Sequence, residues 1–165
     1  MLAAASLAEF NGISITRAVV AAYLHDCAKH QTREQMTKVL RGTPFKLDAM
    51  EKQIPSLWHC AVGAALAYKV WKVRDWEVLD AVRWHALGGA DMGLLTQVLF
   101  VADYVETNRT FRGVALIRRK ARKNLRHAVG AKCAGVLTYL IQQDMLVHPR
   151  LIETWNAFTE PKQTL

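Results

Sequence analysis

The 165-residue sequence predicts an all-α protein. Alanine, leucine and other apolar residues recur at helical spacing, while the alternating Val/Ile/Thr runs and the intervening Asn-Gly turns of hairpins are missing. Gly and Pro fall in short clusters that cut the chain into about eight helices. The length suits one domain spanning residues 1–165.

The first break is Asn11-Gly12, after which Ser14 caps a helix reaching about Lys29. Thr32 caps a short helix ending before Gly42. Further helices run from about Ser56 to Trp71, Asp75 to Leu87, Gly93 to Asn108, Gly113 to Val129, Lys132 to Leu146 and Arg150 to Phe158. The helix from Gly113 carries the basic run "IRRKARKNLRHA". Its apolar stripe of Val114, Ile117, Ala121, Leu125 and Ala128 leaves Arg118, Arg119, Arg122 and Lys123 on a solvated face.

Hydrophobic residues make up 52% and charged residues 22% of the chain, as in ordinary globular proteins. The longest apolar stretches, such as Cys60 to Tyr68, are far shorter than the roughly 18 to 20 residues that span a bilayer. The start lacks a basic leader, so a cytoplasmic location and no membrane contact are expected. The net charge of +8 favours nucleic acid, an anionic membrane or a small polyphosphate as partner. Cys27, Cys60 and Cys133 lack CxxC or zinc-finger spacing and read as small buried thiols, although Cys27 and Cys60 closely follow candidate ligands.

Chemistry concentrates in four apolar segments. In "AAYLHDCAKH", Ala18, Ala21 and Ala22 share a face with His25, and Lys29 lies one turn beyond His25 and Asp26. Asp26 and Lys29 read equally well as an ion pair or as parts of a site. The helix "GLLTQVLFVADYVETN" is apolar nearly all round, with a polar stripe of Thr96, Asp103, Glu106 and Thr107. A carboxylate buried there needs a cation, arginine or metal. His59 in "LWHCAVGAAL" and His85 in "VRWHALGG" have similar apolar settings, with the small Gly63 one turn after His59. Together, two Asp and three His suit Zn, Fe, Mn or Co. His30, His127 and His148 read as surface residues, and Trp58, Trp84 and Tyr104 as core rather than as stacking platforms for a base.

"LHDCAK" and "VADYVE" resemble the His-Asp doublet and distal Asp segments of the HD-domain superfamily of metal-dependent phosphohydrolases. More narrowly, "WHCAVGA" and "VRWHALGGADMGLLTQVLFVADYVETNRTFRGV" resemble the YqeK-type symmetrical bis(5′-nucleosyl)-tetraphosphatases, over about Ala5 to Val114. The resemblance implies an HD-domain helical bundle with its metal-site core at about 5–114 and helices at 115–160 packing on it. It implies a dinucleoside polyphosphate substrate, diadenosine tetraphosphate cleaved to two ADP, and a divalent metal cofactor: a di-iron centre, with Mn or Co as alternatives. By matching position, His25 and Asp26 would be metal ligands, Asp26 shared between two ions and catalytic. His59 and His85 would complete the second metal site or touch phosphate, and Asp103 would be the distal ligand. Lys29, also catalytic, and Arg109 would neutralise phosphate oxygens, with Asn108 shaping that loop.

Two departures stand out. Thr107 and Arg112 occupy positions where the family commonly has proline, so a stiffening residue is lost and a positive charge gained. The resemblance also implies a first His on the first helix, but residues 1–13 hold none. The preferred expectation is a sequence that begins late, with that His a few residues before Met1, and the alternative is a lost ligand and a metal-poor remnant; either way the chain as it stands should hold at least one metal more weakly. Other readings are an HD phosphohydrolase acting on another nucleotide and a basic nucleic-acid-binding helical module. The absence of helix-turn-helix punctuation counts against nucleic acid as partner, and a homodimer is left open.

Overall fold

The computed structural model describes residues 1–111 and 113–159, so Arg112 lies outside the described residues. Among these, ten α-helices and one 3-10 turn form the fold, with no strand. The helices are α1 (Leu2–Phe10), α2 (Ile15–Leu24), α3 (Arg33–Leu40), α4 (Ala49–Gln53), α5 (Trp58–Lys69), α6 (Trp76–Trp84), α7 (Leu94–Val105), α8 (Val114–Lys123), α9 (Leu125–Gln142) and α10 (Pro149–Phe158). The 3-10 turn, Pro55–Leu57, leads into α5. No described helix is long and apolar enough to cross a membrane.

Helix α7 is the hub, packing against α1, α2, α6, α8 and α9. Its Val98, Leu99, Phe100, Val101 and Ala102 are all buried, as expected for a helix apolar on nearly every side. Helix α5 is equally enclosed, and its Ala61, Gly63, Ala64, Ala65 and Ala67 keep it thin enough to lie between α3 and α6. Small residues matter because they let backbones approach closely enough for polar side chains at helix ends to converge.

Capping signals set most helix starts. Ser14 accepts from Arg17 N, and Thr32 and Gln35 form a reciprocal capping box. Asp48 and Glu51 form another at α4, which five residues made too short to read from periodicity. The structure corrects three boundaries. The second helix ends at Leu24 rather than Lys29, and the chain continues in turns with bonds from Cys27 N to Leu24 O and Lys29 N to Asp26 O. The helix expected to reach Asn108 ends at Val105. The break expected near Gly130 falls at Asn124, whose side chain accepts from His127 N and caps α9. Gly130 instead marks a close approach: a Cβ there would lie 2.8 Å from Phe158 O.

Candidate functional site

Histidines from three segments converge in the middle of the bundle. His25 caps the C-terminus of α2, His59 lies in the first turn of α5, and His85 caps the end of α6. Each ring is fixed the same way: Nδ1 lies within 2.8 Å of the carbonyl three residues earlier, Ala22 O for His25, Ser56 O for His59 and Val82 O for His85. A backbone carbonyl only accepts, so Nδ1 carries the proton and Nε2 presents a lone pair.

Those lone pairs point at one another and at two carboxylates. His59 Nε2 and His85 Nε2 are 3.1 Å apart. Asp26 Oδ1 lies 3.3 Å from His59 Nε2 and 4.0 Å from His85 Nε2. The other oxygen, Oδ2, lies 3.7 Å from His25 Nε2, and Asp103 Oδ1 is 3.7 Å from the same nitrogen. Asp26 thus presents one oxygen to the His59–His85 pair and the other toward His25.

Electrostatics match this geometry. Burial of His85, reinforced by His59 and His25, pushes its pKa down to about 3. Burial likewise lowers His59, so both rings are neutral near pH 7. Burial opposes charge on His25 too, but the Asp103 carboxylate, the Ala22 carbonyl and Asp26 outweigh it and hold its pKa above the ordinary value. Burial works against the Asp103 anion, yet His25 and Lys132 keep its pKa far below the carboxylate range. Asp26 is lowered also, its burial outweighed by the Lys29 hydrogen bond and by His25.

Two cations border the carboxylates. Lys29 Nζ is 2.7 Å from Asp26 Oδ2, the plain ion pair that was one reading of the sequence. Arg109 Nη2 is 3.5 Å from Asp103 Oδ1, and half its side chain is exposed. A cavity of about 280 Å³ opens here, bordered by His25, Asp26, Asp103, Glu106, Asn108 and Arg109. A larger cavity of about 480 Å³, bordered by Ser14, Asp80, Trp84 and Arg150, shares no lining residue with it. His25 and both carboxylates border the smaller one.

The donor set fits a divalent cation. Two neutral imidazoles facing each other through unprotonated nitrogens repel unless a positive centre lies between them, and the carboxylate oxygens supply compensating charge. His59, Cys60 and His85 offer donor atoms within 4.8 Å of one another.

The eight residues singled out from the sequence are thus in one region, but three others were missed. Arg118, assigned to a solvated face, is partly buried: Nε donates to Val105 O at 2.9 Å, and Nη2 donates to Glu106 O, Thr107 O and Arg109 O. It receives the carbonyls left free where α7 ends, which explains that boundary. Lys132 is buried and donates to His85 O and Phe100 O, so it supports the His85 turn from below. Its solitary charge in "VGAKCAGV" was the available signal. Cys60 Sγ lies 3.5 Å from His59 Nε2 and 3.8 Å from His85 Nε2. His148 is also corrected from surface to interior: it is 6% exposed, 3.0 Å from Asp48 Oδ2, and caps α10. Cys27 is only half-buried.

The aromatic neighbours are occupied by the fold. Trp84 lies between the Arg83 and Arg150 guanidinium groups, Trp58 Nε1 donates to Glu51 O, and Tyr104 packs on Phe111.

Residues 1–108 match the family model described as the HD domain. The chain is 35% identical to the symmetrical bis(5′-nucleosyl)-tetraphosphatase of Bacillus subtilis (strain 168), covering 94% of this chain and 83% of that protein. The chain belongs to the HD-domain family. A second symmetrical bis(5′-nucleosyl)-tetraphosphatase, from Halalkalibacterium halodurans, is 31% identical over the same shares. Among solved structures, a predicted HD superfamily hydrolase involved in NAD metabolism from Clostridium acetobutylicum superposes with a TM-score of 0.89 at 29% identity, covering 94% of this chain and 82% of that one. Within the matched span, His25 and Asp26 directly follow α2 and Asp103 lies on α7.

Proposed function

We propose that this HD-domain protein is a metal-dependent phosphohydrolase that cleaves diadenosine tetraphosphate symmetrically to two ADP. The carrying observation is the convergence of His25, Asp26, His59, His85 and Asp103 beside a cavity edged by Arg109, with Lys29 paired to Asp26. The relatives' activity is the reason to choose a dinucleoside tetraphosphate from among phosphate esters and anhydrides.

In this reading His59, His85 and Asp26 hold one cation and Asp26, His25 and Asp103 a second, with iron preferred and Mn or Co as alternatives. When bound, such cations polarise the phosphoryl oxygens and make water a stronger nucleophile near neutral pH. The chain's own groups do the rest. The carbonyl bonds at Nδ1 lock the imidazoles in one tautomer and one orientation, so no reorganisation is needed as charge develops. Lys29 and Arg109, each already beside a carboxylate, offer charge-assisted bonds to the phosphate oxygens. Asn108 shapes the loop that carries Arg109. The cavity volume is small for a whole dinucleotide but suits the polyphosphate, leaving the nucleosides at the rim. The place of action is the cytoplasm.

The test is an assay of diadenosine tetraphosphate hydrolysis with Fe(II), Mn(II) or Co(II) added and products separated by chromatography. ADP as sole product is expected, with a loss of about 100-fold or more in Asp26→Asn and Asp103→Asn variants. ATP and AMP as products, or rates indifferent to both substitutions, would overturn the reading.

A further inference from the structure

Cys60 adjoins the proposed metal centre without a part in it. We propose that Cys60 is itself a metal ligand: its sulfur joins His59 Nε2 and His85 Nε2, with Asp26 Oδ1 as the fourth donor, around the divalent cation assigned to that pair, and it favours iron(II), cobalt or zinc over manganese. The inference rests on the reading that Asp26, His59 and His85 hold a cation.

A tetrahedral ion with metal–nitrogen bonds near 2.05 Å and a metal–sulfur bond near 2.3 Å has N···N edges of about 3.3 Å and N···S edges of about 3.6 Å. The His59–His85 edge is 3.1 Å, and the two edges to sulfur are 3.5 and 3.8 Å. A carboxylate oxygen makes edges of about 3.3 Å to nitrogen. Asp26 Oδ1 stands at 3.3 Å from His59 Nε2 and 4.0 Å from His85 Nε2. Asp26 is the least enclosed of the four, which leaves its carboxylate room to approach His85.

The three cysteines differ in the right way. The polar atom near Cys27 Sγ is the Gly63 carbonyl, and Cys133 lies in the hydrophobic core. Cys60 is 2% exposed, and its sulfur reaches the two imidazole lone pairs. On binding, the S–H bond breaks, the proton leaves to water and the sulfur donates its electron pair to the cation, with no change of oxidation state. One thiolate in place of a water or carboxylate moves the site's preference from hard manganese toward zinc and cobalt. This half of the centre therefore differs chemically from the His25–Asp103 half.

Cobalt(II) titration of the chelator-stripped 165-residue chain tests this without reference to activity. A near-ultraviolet sulfur-to-cobalt charge-transfer band is expected as cobalt binds, and it should vanish in Cys60→Ser and Cys60→Ala, with circular dichroism confirming that each is folded. Zinc affinity should fall about 10-fold or more in either variant while manganese affinity changes far less. Cobalt binding by the wild type without that band, or a band that survives both substitutions, overturns the proposal and leaves the metal centre standing. A wild type that takes up no cobalt overturns the metal centre and the proposal together.

Discussion

His59 Nε2 and His85 Nε2 face each other at 3.1 Å, with each ring's other nitrogen already committed to a backbone carbonyl. Neither ring has a proton to place between them, so the two facing lone pairs suit the cation proposed above. Burial opposes protonation of both rings and holds both pKa values low, helped by Lys29 and His25 at His59 and by His59 and His25 at His85.

That depression links pH to stability. The ordinary histidine value is 6.5 and His85 is held at about 3, so between these limits the unfolded chain takes a proton that the folded chain refuses. The stability contribution is full above pH 6.5 and is lost progressively as pH falls toward 3, by up to about 1.4 kcal/mol per pH unit from this group. His59 acts in the same direction, whereas His25, with its raised pKa, stabilises below 6.5 and loses that contribution as pH rises through its folded value. Urea unfolding with a chelator present should show the gap between wild type and His85→Gln shrinking from pH 6.5 to pH 4.

Gly63 supports the site from below. A Cβ added there would lie 3.4 Å from Leu24 O, His25 O and Val82 Cγ1. Alanine therefore just fits, and relief of glycine's helix penalty makes Gly63→Ala neutral or stabilising by up to about 1 kcal/mol. The branches of valine must push the turn carrying His25, so Gly63→Val should cost about 1 to 3 kcal/mol and weaken metal binding. Thermal unfolding and metal titration of both variants check this; equal behaviour would show that the close approach carries no functional weight.

Legibility divided along physical lines. The all-α class and the stripe of Val114, Ile117, Ala121, Leu125 and Ala128 followed from periodicity, and all five are buried. The His and Asp constellation was visible because polar residues in apolar helices need partners, though only the fold could say that Asp26 divides its oxygens between His59 and His25. Helix ends were misread where tertiary contacts decide them. Nothing local stops α7 at Val105; a guanidinium from a later helix takes its carbonyls. The gap expected between Val129 and Lys132 is continuous helix, and Gly130 within it provides room for Phe158. His148 looked exposed because Asp48, its partner, is 100 residues away.

Arg118 should act on substrate binding through Arg109. Its bonds to the carbonyls of residues 105, 106, 107 and 109 hold the loop whose Arg109 edges the cavity. Arg118→Met should lower stability by about 1 to 2 kcal/mol. It should also raise KM for diadenosine tetraphosphate several-fold with a smaller change in kcat. Because the effect runs through Arg109, it should largely disappear in an Arg109→Met background. Additive effects of the two substitutions would instead assign Arg118 a purely structural role.

The pair that most resists single substitution is Glu51 with Arg83. Glu51 is fully buried and Arg83 nearly so; Nη1 donates to Oε1 and Nη2 to Oε2, each at 2.7 Å. Arg83 Nη2 also donates to Lys46 O, and the Trp58 indole donates to Glu51 O, so the pair ties α4 and the preceding loop to the helix that ends at His85. Two buried charges repay their lost hydration only while both are present. Glu51→Gln leaves a guanidinium buried with a neutral partner, and Arg83→Met leaves a bare carboxylate; each should cost about 3 to 5 kcal/mol. The double variant Glu51→Gln/Arg83→Met removes both charges and should be more stable than Arg83→Met alone. Denaturant unfolding of the three variants measures this directly, and a double variant whose loss equals the sum of the single losses would show that the two charges do not depend on each other.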